Sequence, residues 1–277
     1  GPARLLDMVE GRSKKAFADW LSERPQPWRD GVEVVAMDGF SGFKTATTEE
    51  LPEAATVMDP FHVVRLSGNA LDDCRRRIQV ATCGHRGRKT DPLYACRRTL
   101  HTGVDLLTDR QKARLAALFT GDIHVEVEAT WHMYQRAVAA YREPDRTKGR
   151  AMMAALIDTL SAGVPKPLTE LITLGRTLTK RAVDVLAYFD RPGTSNGPTE
   201  AINGRLEHLR GSALGFRNLT HYIARSLLEA GGFRPPLHPQ LCRACLLRLF
   251  SASVCGAEFD EEDPSDDQDQ AEDHDPG

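Results

Sequence analysis

The chain has 277 residues, 41% of them hydrophobic and 27% charged, with six cysteines at scattered positions. That length supports one large domain or two modest ones with a real core. No apolar run approaches the roughly 20 residues of a membrane span, nothing near Gly1 reads as a signal peptide, and the cysteine usage fits a reducing cytoplasm. The net charge of −3 hides an asymmetry, because 11 of the 39 acids fall between Glu258 and Asp275 and leave 28 against 36 basic residues. A basic body of this kind suits nucleic acid as a partner.

Residues 3–23, "ARLLDMVEGRSKKAFADWLSE", read as one helix or two short ones, stopped by Pro25 and Pro27. The run "GVEVVAMDGF" (31–40) is apolar and β-branched and ends at Asp-Gly, which predicts a buried strand entering a turn. A short helix is expected in 42–54, and "ATVMDPFHV" (55–63) predicts a second strand ending at Asp-Pro. Strand, helix and strand with short links imply parallel neighbours.

From Phe61 the pattern turns helical. Over 61–79, Val64, Leu71, Cys74 and Ile78 share one face, and Arg75, Arg76 and Arg77 occupy the other. "ATCGHRGRKTDP" (81–92) is a basic, glycine-containing loop. Helices follow near 93–101, 109–119, 122–141, 148–162, 168–189, 198–210 and 218–230. This arrangement predicts a helical subdomain growing out of an α/β core, with the chain returning to that core near residue 190. The tail from Glu258 is too charged to fold.

Asp38 and Asp59 each end a predicted strand. Ligands of open α/β sheets gather beyond the carboxyl ends of strands, but an Asp before Gly or Pro is also an ordinary turn former. Glu200 has two readings as well. With Gly197 as cap and Pro198 at the first helical position, it falls at the third, where a carboxylate suits the helix end. It is also the kind of group that completes a hard-metal site with Asp38 and Asp59, since Mg²⁺ takes oxygen ligands and keeps several waters. Two such ions about 3.5–4 Å apart activate a water or 3′-hydroxyl in phosphodiester displacement. Ile202, Leu206 and Leu209 form the apolar stripe of this helix, opposite Glu200, Gly204 and Glu207. Gly204 would let a backbone or a substrate approach closely.

The segments "VEVVAMDGF", "ATVMDPFHVVRL" and "TSNGPTEAINGRLEHLRGSALGFRN", in this order and spacing, closely resemble the ISL-three family of bacterial insertion-sequence transposases, a DDE group. The resemblance runs from about residue 3 to residue 240. It implies a helix-rich α/β chain with a partial RNase H-like core, 1–66, interrupted by an all-helical insertion, 67–190. Return helices at 191–235 carry Glu200, and a tail from 236 is acidic and disordered from about 257. It also implies Mg²⁺- or Mn²⁺-dependent cleavage and transfer of DNA strands at the element's ends. Asp38 then matches the second acid and Glu200 the third, both as catalytic metal ligands, and Asp59 matches a recurrent auxiliary position. The family's first acid lies on an opening strand in an Ile/Val-Asp-Glu segment, downstream of a zinc ribbon and a helix-turn-helix. None of these segments occurs here, so the expectation is a truncated, catalytically inert fragment in a bacterial cytoplasm. Its partners would be DNA and either a second copy or a full-length transposase. The alternative is an inactive remnant that still binds DNA or the full-length protein.

Other signals are weaker. Cys242 and Cys245 form a lone C-x-x-C, and Cys83 with His85 makes half a zinc knuckle at most. Arg86, Arg88 and Lys89 in the same loop read as DNA contacts or as solvated charges. Ser195 and Ser212 lack a nucleophile elbow. Trp131, mid-helix in "EATWHMYQR", is either core or an aromatic that stacks on an unpaired base. Arg205, Arg210 and Arg217 are candidate phosphate contacts.

Overall fold

Two short valine-containing runs form the sheet. Strands β1 (Val34–Met37) and β2 (Ala55–Met58) pair in parallel, with Val34 opposite Ala55 and Met37 opposite Met58. Helix α3 (Ser41–Glu50) makes the crossover that parallel neighbours need. The computed structural model describes residues 3–232, and among these the sheet has only these two strands against twelve α-helices. The architecture is a helix-rich α/β fold. The acidic tail and Cys242, Cys245 and Cys255 lie outside the described residues.

The opening stretch departs from expectation. Residues 3–12 are not helical, Gly11 takes a positive φ of 110°, and Ser13 caps a shorter α1 (Lys14–Ser22). The first residues pack elsewhere instead. The Leu5 N–H donates to the Ala230 carbonyl at 2.8 Å, and Asp7 accepts from the Trp20 indole at 2.8 Å. Pro25 and Pro27, expected only as stops, instead open a further short helix, α2 (Gln26–Asp30), because proline suits a first helical turn.

Asp59 caps the long helix α4 (Pro60–Cys83), which ends at Gly84 in a left-handed conformation, φ 71°. Its faces meet two cores. On one side α7 (Val125–Arg142), α8 (Arg146–Ser161), α9 (Thr169–Lys180) and α10 (Ala182–Asp190) enclose Met58, Val63, Met153, Leu178 and Val185. On the other, α5 (Pro92–Leu100) and α6 (Asp109–Phe119) cover Leu71, Cys74, Ile78 and Trp131.

The single helix expected over 168–189 is broken at Arg181, φ −112° and ψ 16°, and this residue is buried. The break lets α10 turn back to pack on β2. Finally α11 (Gly197–Ser212) and α12 (Leu219–Ala230) form a hairpin, and Ile202, Leu206 and Ala230 close over Leu5 and Met8.

Candidate functional site

Because β1 and β2 run parallel and in register, Asp38 and Asp59 leave the sheet side by side. The Asp59 N–H extends the ladder, donating to the Met37 carbonyl at 2.9 Å. Asp59 is only 3% exposed, and both its carboxylate oxygens are engaged. Oδ2 accepts from the His62 N–H at 3.0 Å as the cap of α4, and Oδ1 accepts from the Asn196 N–H at 2.8 Å. The Asn196 side chain in turn donates from Nδ2 to Asp38 Oδ1 at 2.8 Å. One residue before α11 thus ties together the ends of both strands. Asp38, Asp59, His62, Arg65, Asn196 and Glu200 all line one cleft of about 530 Å³.

Glu200 sits one position deeper in its helix than its local sequence implies. Asn196 takes the cap position, and the Glu200 N–H donates to the Asn196 carbonyl at 2.8 Å. The Glu200 side chain therefore does not cap the helix. It is exposed, and among the described residues it has no hydrogen-bond or ion-pair partner. Ile202 and Leu206 are buried on the opposite face, as the stripe requires. Among the described residues nothing approaches Gly204 within 4 Å of where a Cβ would stand, so none of their backbone crosses there.

His62 escaped sequence reasoning, although its place three residues after Asp59 puts it on the first turn of α4. Arg65 Nη2 donates to His62 Nδ1 at 2.8 Å, which leaves the neutral ring's proton on Nε2. Burial pulls the His62 pKa down. Asp38 and Asp59 oppose this and Arg65 and Arg181 add to it, so the ring is neutral near pH 7. Gly39 makes room for it, since a Cβ there would lie 2.4 Å from His62 Nε2.

Behind the cleft, Arg181 Nη1 donates to the Gly39 carbonyl at 3.3 Å and its Nε donates to Asp184. Asp184 is fully buried and also accepts from Lys44 Nζ at 2.6 Å and Thr56 Oγ1 at 2.6 Å. Burial alone would push its carboxyl up, but the bonds from Lys44, Thr56 and Arg181 prevail and hold it below the usual carboxylate range. This network locks α10 to α3, β2 and the turn after Asp38.

The other predicted residues do not line this cleft. Trp131 is 8% exposed and packs against Phe119 with ring centroids 5.6 Å apart, so it is a core residue and cannot meet a base. Arg86, Arg88 and Lys89 are exposed in the loop after α4. A helix of 24 residues is about 36 Å long, so this loop lies far from Asp59 at the other end. Arg205 and Arg217 are exposed, and Arg210 pairs with Glu207 at 2.8 Å. Arg75 is buried on Asp72 and Gln79, and Arg77 is held by Glu126 and Glu170. Among the described residues no group of three or more His, Cys, Asp or Glu is arranged to hold a metal ion, Cys83 and His85 included. No described helix is long and apolar enough to cross a membrane.

A family model described as a transposase, that of the ISL-three DDE type, matches residues 1–226. Two curated relatives, each a transposase for insertion sequence element IS1557, come from Mycobacterium tuberculosis strains CDC 1551 / Oshkosh and ATCC 25618 / H37Rv. Both are 27% identical over 268 residues, covering 86% of this chain and 58% of their own length. The chain thus spans little more than half of these relatives. No solved structure matches it.

Proposed function

The chain belongs to the ISL-three family of insertion-sequence transposases, and from that premise we propose that its acid cleft is part of a centre that cuts and joins DNA strands at an element's ends. The observation that carries this reading is that Asp38 and Glu200, from opposite ends of the fold's sequence, line the same cleft. We read residues 1–66, with β1 and β2, as part of an RNase H-like core, 67–190 as its helical insertion and the described part of 191–235 as its return helices.

The donor set fits a hard cation. Asp38 keeps one carboxylate oxygen and Glu200 both without partners among the described residues, and Mg²⁺ or Mn²⁺ takes one or two carboxylates together with water and phosphate. Asp38 and Glu200 would hold the ion, and Asp59, engaged at both oxygens, would hold the loop. When bound, the ion supplies activation of a water or 3′-hydroxyl and neutralises charge on the phosphate. Asn196 orients Asp38. His62 offers a neutral N–H donor beside it for a phosphate oxygen, and Arg65 adds positive charge at the rim.

The site can be mapped without turnover by replacing Mg²⁺ with Fe²⁺ and ascorbate, which cut the backbone near bound metal. Cuts near both residue 38 and residue 200, each lost in Asp38→Ala and in Glu200→Ala, are expected. Cuts elsewhere, or cuts indifferent to Asp38→Ala, would defeat the reading. One observation favours a second reading, a non-catalytic chain that binds DNA or a full-length transposase: Asp38 and Asp59 are both bonded within the fold, by Asn196 and by the first turn of α4. Nicking of element-end DNA by residues 1–277 with Mn²⁺, absent in Asp38→Ala, would rule it out.

A further inference from the structure

Phe61 is 75% exposed and forms the wall between two clefts. On one side is the acid cleft, and on the other a second cleft of about 330 Å³. The second is lined by Tyr134, Tyr141 and Tyr188, with His101 and Arg142 also on its lining. Its volume is at the small end of the roughly 300–1,000 Å³ typical of ligand pockets, which suits a single ring system.

The aromatic wall is built to stay put. Tyr188 packs edge-on against Tyr141 at 5.4 Å, and the Arg146 guanidinium stands over its ring at 5.4 Å. The Tyr134 hydroxyl donates to the His101 carbonyl at 3.0 Å, and Arg142 is held by Asp105 at 2.6 Å. Phe61 itself stands on the first turn of α4, which the Asp59 cap fixes. A rigid ring of this kind loses little freedom on binding. The two clefts are close neighbours. The Tyr141 phenol, whose pKa is raised first by burial, is raised further by Tyr188 and by Asp59 of the acid cleft. That phenol has no hydrogen-bond partner among the described residues.

We propose that the aromatic cleft takes one unpaired base of the DNA strand whose backbone occupies the acid cleft, with Phe61 as the wedge that separates this base from its neighbour. The inference rests on the DNA-processing reading of the acid cleft. A base has an apolar π-face for Phe61 and the half-buried Tyr141 and Tyr188, and a polar edge for Arg142 and His101, and a phosphate one linkage away would face Asp38 and Glu200 across the Phe61 wall. Stacked bases are sequence-tolerant because every base offers a π-face, and extrusion costs least where pairing is already broken.

The test is binding, without metal and without turnover. The whole chain is titrated against three labelled hairpins that are alike except at one position: fully paired, carrying one unpaired adenine, or carrying an abasic unit there. The unpaired adenine should bind about five- to a hundredfold tighter than the abasic analogue. This ratio should collapse toward one in Phe61→Ala and persist in Phe61→Tyr, with circular dichroism confirming that both variants fold. A ratio of one in the unmodified chain, or a ratio that survives Phe61→Ala, overturns the inference and leaves the acid-cleft reading standing. No binding to any of the three hairpins, either without metal or with Mn²⁺ added to offset the Asp38 and Glu200 charges, overturns both.

Discussion

Asp38 and Asn196 lie 158 positions apart, yet the Asn196 amide donates to the Asp38 carboxylate at 2.8 Å, and the same residue's backbone N–H donates to Asp59 at 2.8 Å. The loop before α11 is therefore fastened to the ends of both strands, and Glu200 follows one helical turn later.

Asn196→Ala keeps the backbone bond to Asp59 and removes the side-chain bond to Asp38. A loss of about 1 kcal/mol in stability is expected from one such bond, read by urea unfolding. Asn196→Asp sets a like charge against Asp38 and should cost more, with the loss reversed by Mn²⁺. A thermal midpoint that rises no more with Mn²⁺ in Asn196→Asp than in the unmodified chain would show that no cation enters beside Asp38.

Asp184 joins Lys44, Thr56 and Arg181 in a buried network. Asp184→Ala leaves Arg181 charged and unpaired beneath the Gly39 turn, and breaking such a buried pair costs about 3–5 kcal/mol. The folded carboxyl is held below its ordinary value, so its contribution is complete above about pH 3.9 and fades as the pH falls through the folded value. The stability gap between the unmodified chain and Asp184→Asn should therefore be wide at pH 7 and narrower at pH 3. An equal gap at both values would mean that the carboxylate's charge is not what stabilises this corner.

Gly39 and His62 form a steric pair, because a Cβ on Gly39 would stand 2.4 Å from His62 Nε2. Gly39→Ala should push the ring out of its half-buried place and return its pKa toward 6.5. Asp38→Asn should lower that pKa further by removing a charge that raises it. Imidazole titration by NMR measures both. Since the folded pKa is depressed, His62 contributes stability that is full above about pH 6.5 and declines as the pH falls toward the folded value. An unmoved resonance in Gly39→Ala would contradict the contact.

Arg86, Arg88 and Lys89 are exposed, and no described acid forms a salt bridge with their side chains. If the loop meets DNA, changing all three to Ala should reduce the slope of log affinity against log salt by up to about three. Arg210→Ala, whose charge is already shared with Glu207, should change it by less than one. An unaltered slope in the triple variant would reduce the loop to a solvated surface.

Local chemistry was enough to read much of the frame. Apolar β-branched runs closed by Asp-Gly and Asp-Pro marked both strands, the short link between them implied parallel pairing, and spacing by threes and fours located most helices. These features depend on neighbours within a few residues, and the sequence lays such neighbours side by side.

The errors and omissions share a different origin. Trp131 stands on a helix whose pattern fits core and surface alike, and only the packing of α6 against it buries the ring. Residues 3–12 had helical composition, but their partner is Ala230 at the far end of the fold. The break at Arg181 depends on Asp184 and Gly39, Asp59's second bond depends on Asn196, and Phe61 borders two clefts only because α7 and α10 stand beside α4. A periodic pattern tells which side of an element is apolar. What lies opposite that side is decided by contacts between distant segments, and those exist only once the chain has closed on itself.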